Sequence, residues 1–247
     1  MTQRVSEWLD TPKLDYHARQ LDNVYRSTIH FCDWLEKMGY IHPSSRQTIL
    51  DLGCGLGANL AYMGKRYPGC KFIGVDLNSD FVRQGNSILF DRRVENARIE
   101  YGDWLSLDNS YKSVFDGVVS FQTVSWMPDF REPLMAVCNL EPKWTAHTSL
   151  FYDGPVSCTN ETHTHDEDGN IKRNLFYNVY SLPVVEKFLR GNGYGNFKAA
   201  PFEIDVDLPH TGEFRSYTER TADGRRIQIS GPVFMPWYFV AAEKRDA

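Results

Sequence analysis

The sequence predicts an α/β protein. Its sheet is mainly parallel and seven-stranded, with helices on both faces, an N-terminal helical cap and an antiparallel C-terminal hairpin. Three observations carry this expectation. Short apolar runs alternate with amphipathic stretches between residues 47 and 154, which is the rhythm of βαβ units. The first run ends in "GCGLG", three glycines in five positions, as a tight strand-to-helix turn requires. The last two apolar runs, "FKAAPFEIDVDL" and "VFMPWYFVAAEK", are separated by a polar segment across which they pair antiparallel.

Taken in order, residues 14–38 show apolar positions at helical spacing, and Ser27 or Thr28 is placed to cap a second helix that stops at Gly39. "QTILDL" reads as a buried strand, and after the glycine turn a helix spans 58–66 until Pro68-Gly69 breaks it. "KFIGVDL" is the second strand, 80–95 a helix and "ARIEYGD" the third strand. "SVFDGVVSF", a helix at 133–140 and "HTSLFYDG" complete the alternation. Beyond Gly154 the rhythm changes. "HDEDGN" carries an Asp-Gly turn between two short strands, and a helix at 182–190 runs into the glycine-rich "GNGYG".

Composition narrows the function classes. No linker, repeat or low-complexity run divides the 247 residues, so one domain is expected. No apolar stretch is long enough to span a membrane, and the polar start "MTQRVSEWLD" lacks the apolar core of a signal peptide, so the expected location is cytoplasmic. Cysteines 32, 54, 70, 138 and 158 form no C-x-x-C pair, which suggests neither a zinc site nor a disulfide framework. The net charge of −5 and the absence of a long basic cluster speak against a nucleic-acid partner. "GRRIQ" around Arg225 reads as a solvated turn, and the Asn160 sequon as a chance match.

Two nucleotide readings fit the glycine turn. Gly53, Gly55 and Ala58 satisfy G-x-G-x-x-G/A, the dinucleotide fingerprint; Gly53, Gly55 and Gly57 satisfy G-x-G-x-G, the pattern for S-adenosylmethionine. Asp76, ending the second strand, suits ribose hydroxyls in both. Four features separate them. About 50 residues of helical sequence precede the turn, whereas a dinucleotide fingerprint opens its domain. Asp51 stands two positions before Gly53, where an ammonium group is welcome and a pyrophosphate is not. Asp103 follows the third strand in "EYGDWL", where an adenine amino group can be read. The C-terminal hairpin departs from the all-parallel sheets usual for NAD. Together these features weaken an NAD(P)-dependent oxidoreductase.

From Ile49 onward the chain resembles the class I S-adenosylmethionine-dependent methyltransferases. "LDLGCGLG" is similar to that family's first motif, "VDLN" to its acidic second-strand end, "YGDW" to the third and "VVSFQTVSWM" to the fourth. The resemblance implies a Rossmann-like sheet in one methyltransferase domain. Residues 1–45 form its cap, 46–154 the cofactor core, 155–180 a lid or substrate insertion, and 181–247 the C-terminal helix and hairpin. It also implies that Asp51, Gly53, Gly55 and Gly57 surround the methionine part of the cofactor, Asp76 and Leu77 the ribose, Asp103 and Trp104 the adenine, with Phe121 and Gln122 beside the sulfonium.

Methyl transfer is a direct displacement, and alignment supplies much of its acceleration, so no catalytic triad is obligatory. In such a sheet the acceptor lies above the carboxyl ends of the strands. The candidates there are Trp126, Tyr152, Asp153, Tyr177 and Asn178, with Tyr25 and Arg26 folding over from the N-terminal cap. His163 and Asp153 are the candidates for a general base. The cluster "HTHDED" is weighed as a metal site and set aside, so no metal is expected. The fourth motif lacks the Asn/Asp-Pro-Pro-aromatic signature of enzymes that methylate planar amide or adenine nitrogens. With the acidic charge, this favours a small-molecule acceptor of the oxygen or nitrogen kind. A cofactor-binding protein without catalysis is the competing class.

Overall fold

The computed structural model describes residues 20–211 and 216–245. Residues 14–19 of the expected helical stretch 14–38 and the polar start of the chain lie outside the described residues. Seven strands make the main sheet in the order β3-β2-β1-β4-β5-β13-β9: β1 (Thr48–Leu52), β2 (Lys71–Asp76), β3 (Ala97–Tyr101), β4 (Gly117–Phe121), β5 (Trp144–Tyr152), β9 (Tyr194–Pro201) and β13 (Trp237–Lys244). The first five are mutually parallel, and β13 runs antiparallel to both β5 and β9. A short strand, β8 (Tyr180–Ser181), pairs in parallel with the end of β5, and β6 (Glu161–His165) pairs with β7 (Ile171–Phe176) as a hairpin.

Alternation along the strands sends side chains to two cores. One face packs against α1 (Arg26–Lys37), α2 (Ala58–Arg66) and α3 (Ser79–Asp91) through residues such as Ile49, Val119, Ala146 and Phe239. The other packs against α4 (Arg131–Asn139) and α5 (Leu182–Gly191) through Leu50, Leu52, Val118 and Val240. No helix among the described residues is long and apolar enough to cross a membrane.

Three local expectations are corrected. Tyr25, not Ser27 or Thr28, occupies the N-cap of α1, so both hydroxyls fall inside the first turn. Helix α3 stops at Asp91 because Arg93 turns into the left-handed region. The late strands do pair, but the segment between them is not a plain connection. It holds a small antiparallel sheet of β10 (Ser216–Arg220), β11 (Arg226–Ser230) and β12 (Val233–Phe234). Its arginines are paired within the protein, Arg220 and Arg226 with Asp207 and Arg225 with Asp223.

Close approach of α3 to the glycine turn depends on Gly85. A Cβ there would stand 2.4 Å from Ile99 Cδ1 and 3.0 Å from the Leu56 carbonyl oxygen. Overpacking of this kind costs about 1–3 kcal/mol, so Gly85→Ala is expected to lower Tm by about 5 °C in thermal unfolding. An unchanged Tm would show that α3 retreats freely.

Candidate active site

Strand order reverses between β1 and β4, and their carboxyl ends open the crevice where ligands of such sheets bind. Asp51, near the end of β1, lies on the face of Ile49 and points toward the α1 side. It is 1% exposed, and neither carboxylate oxygen has a hydrogen-bond partner among the described residues. Burial, reinforced by the neighbouring charge of Asp76, pushes its carboxyl up to about 8. After Leu52 the chain turns through Gly53, whose N–H donates to Val75 O, into α2. Gly53 has φ +73°, and a Cβ on it would stand 3.0 Å from Thr123 Cγ2. A side chain is therefore excluded where the turn faces the end of β4.

Asp76 ends β2 and takes two backbone donors, Gly55 N–H at 2.8 Å and Asn78 N–H at 2.9 Å, one on each oxygen. These donors only partly offset burial, which raises its pKa. Each oxygen keeps a lone pair for another donor. Leu77 follows it, half-buried. Asp103 leaves β3 and accepts Leu105 N–H at 3.0 Å, closing a short turn. Trp104 is corrected to a core residue: its buried indole donates to Pro133 O at 3.1 Å beneath α4, so its ring belongs to the sheet's other face.

The first turn of α1 covers the end of β4. Gln122, in the left-handed region at φ +61°, donates through Nε2 to Ser27 Oγ at 3.1 Å, while its backbone N–H donates to Thr148 O. Thr28 donates to Asn59 Oδ1 in α2 at 2.7 Å. Phe121 packs edge-on against Phe31, with centroids 5.2 Å apart. Tyr25 accepts a hydrogen bond from Gln20, and Arg26 pairs with Asp205 through both ends of its guanidinium. That exposed pair holds the Asp205 carboxyl well below its usual range and ties the cap to the segment after β9.

Beyond Phe121 on the same face lies an apolar cluster of Leu150, Tyr177, Met235 and Trp237, with Trp126 and Phe202 packed against it. Tyr152 and Asp153 are exposed at the end of β5. Asn178 is withdrawn as a substrate ligand. It is fully buried, its amide donates to Met127 O, Pro128 O and Tyr180 Oη, and its carbonyl accepts Asn160 N–H. His163 pairs with Asn174, whereas its neighbour Thr162 pairs with Leu175, which packs on the cluster. Alternation therefore turns His163 to solvent, away from the site. Among the described residues no group of three or more His, Cys, Asp or Glu is arranged to hold a metal ion.

Residues 43–147, which contain the glycine turn, Asp51, Asp76 and the end of β4, match the family model described as a methyltransferase domain. The chain is similar to the uncharacterized protein RP028 of Rickettsia prowazekii (strain Madrid E), with 33% identity over 43% of this chain and 44% of that one. It is also similar to a trans-aconitate 2-methyltransferase of Afipia carboxidovorans, with 22% identity over 78% of this chain and 85% of that one. The match spans less than half the length of the first curated relatives. Among solved structures, the Burkholderia thailandensis 1,6-didemethyltoxoflavin-N1-methyltransferase superposes with a TM-score of 0.53 at 16% identity, covering 94% of this chain and 84% of that one; this likeness shows the fold.

Several residues of the candidate site escape sequence reasoning. Ser27 and Thr28 read as helix-cap candidates, Asn59 as a helix residue, Asp205 as part of a strand, and Trp237 as one apolar position among several. The signal available for Trp237 is its alternation with Phe239 and Ala241, which puts it on the α1 face.

Proposed function

We propose that this chain transfers a methyl group from S-adenosylmethionine to a small-molecule acceptor by direct displacement. The observation that carries the reading is the Asp51 carboxylate: buried, without a protein partner among the described residues, and beside a glycine turn at the strand-order reversal. A buried carboxylate left in this state is costly, and a ligand ammonium group is the chemistry that relieves it. Asp51 and the Gly53–Gly57 turn hold the amino-acid part. Asp76, with one lone pair free on each oxygen, takes the two ribose hydroxyls, and Asp103 lies on the adenine side. The cofactor supplies an electrophilic methyl group on a sulfonium.

The remaining work belongs to positioning. Gln122 and Ser27 hold α1 over the end of β4, which shields the crevice from water, and Phe121 presents an apolar wall there. A small acceptor suits the apolar cluster around Leu150 and Trp237, and the name of the Afipia relative points in the same direction. The four buried free thiols, Cys32, Cys54, Cys70 and Cys138, fit a reducing, cytoplasmic setting.

Thermal unfolding tests the cofactor reading. At 100 times its dissociation constant, S-adenosylmethionine or S-adenosylhomocysteine adds about 2.7 kcal/mol, a Tm shift of roughly 5–10 °C, whereas NAD adds none. A shift with NAD alone would replace this reading with a dinucleotide enzyme.

A further inference from the structure

Two buried indole donors lie next to the proposed acceptor position. Trp237 is 7% exposed, Trp126 is half-buried, and the Nε1 atoms of both are closed to solvent without an acceptor among the described residues. Indole nitrogen can only donate, and buried donors in proteins are nearly always matched. Both rings border one apolar cluster, and Trp126 meets Tyr177 edge-on at 6.2 Å.

Strand register places that cluster relative to the crevice. Asp51 is level with Val119 of β4. The next row on the same face is Phe121, Thr148 and Phe239, and the row after that is Leu150 and Trp237. Trp237 thus stands one row beyond Phe121, on the side away from the glycine turn. The backbone N–H of Phe202 donates to Trp237 O at 2.8 Å, and its ring stacks on Phe239, which fixes the outer wall. Trp126 comes from the turn directly after β4.

We propose that Trp126 and Trp237 are specificity-determining residues of the acceptor subsite, their indole N–H groups donating to an sp² oxygen, carbonyl or carboxylate, on an otherwise apolar molecule. The inference rests on the proposed methyl-transfer function and names the acceptor's chemistry. The Arg26 guanidinium of α1 is engaged by Asp205, so recognition here runs through neutral donors set in an aromatic wall. A pocket built to hydrogen-bond an oxygen discriminates strongly against the analogue that lacks it, because the donors are then left unmatched.

The experiment is a ¹H–¹⁵N spectrum of the ¹⁵N-tryptophan-labelled protein, with the Trp126 and Trp237 indole signals assigned from Trp126→Phe and Trp237→Phe. Three probes of similar shape are titrated: acetophenone for a carbonyl, benzoate for a carboxylate and ethylbenzene as the hydrocarbon control. The expected result is a downfield shift of both indole protons with acetophenone or benzoate, and not with ethylbenzene. Each Trp→Phe change then weakens the oxygen-bearing probe about fivefold and leaves ethylbenzene unaffected. Shifts of equal size with ethylbenzene, or none with either oxygen probe, would overturn the proposal. Where a variant folds poorly, its indole signal is assigned instead from nuclear Overhauser contacts in the native protein, and the native-protein spectra then decide. S-adenosylhomocysteine is titrated separately and the probes are run with and without it. Failure of the cofactor to bind therefore counts against the proposed function, and silent indoles against the acceptor subsite.

Discussion

Asp76→Ala is expected to lower the affinity for S-adenosylhomocysteine by at least about a hundredfold, measured by calorimetric titration. In the free protein each Asp76 oxygen accepts one backbone N–H, from Gly55 or Asn78, and has one lone pair to spare. Two hydroxyls on adjacent ribose carbons match two oxygens of one carboxylate. Hydrogen bonds to a charged group contribute about 1.5–3 kcal/mol each, so losing both removes about 3–6 kcal/mol of binding. The alanine also frees the Gly55 N–H, which loosens the turn that holds the amino-acid part, and the two losses act in the same direction. An affinity within threefold of the native protein would remove Asp76 from the cofactor site. The unfolding midpoint of the ligand-free variant, recorded alongside, separates a local loss from general destabilisation.

How much of this was legible in the sequence depended on whether the deciding interaction was local. Helix α2 is bounded by Gly57 and by the Pro68-Gly69 break, both visible in the chain, and the structure has it over the expected residues. Asp76 could be placed because a strand end is a local event. His163 could not be oriented, since its face follows from which residue pairs with Leu175 and which core Leu175 joins. Trp104 and Asn178 looked like ligands by position, yet their partners, Pro133, Met127 and Asn160, are set by packing across the fold. Arg26 and Asp205 are 179 positions apart, a separation that composition and periodicity do not bridge. The small sheet between β9 and β13 was missed for a related reason. Its strands are short and largely polar, so they lack the buried alternation that marks a strand in sequence.

Asp51→Asn is expected to make the ligand-free protein more stable at alkaline pH while weakening its hold on the cofactor. In the folded protein the Asp51 carboxyl titrates near 8, against about 4 in the unfolded chain, so between these values the folded state binds the extra proton. Stability of the native protein therefore falls as pH rises from about 4 to 8, by up to about 5 kcal/mol from this one group. Asparagine carries no such slope. At pH 8.5 its Tm should exceed that of the native chain by at least about 5 °C, and at pH 5 the two should nearly coincide. Binding runs the other way, because an ammonium group favours the ionised carboxylate. Native affinity for S-adenosylhomocysteine should rise between pH 6 and 8, by at most about tenfold per unit, with uptake of the ligand releasing a proton. In Asp51→Asn that rise disappears and the affinity is low throughout. Flat native affinity across this range, together with unchanged binding by the variant, would show that the buried carboxylate serves the fold and not the ligand. A stability gain at high pH coupled to a binding loss would show that the site keeps an unpartnered carboxyl group in place for a ligand the free protein does not contain.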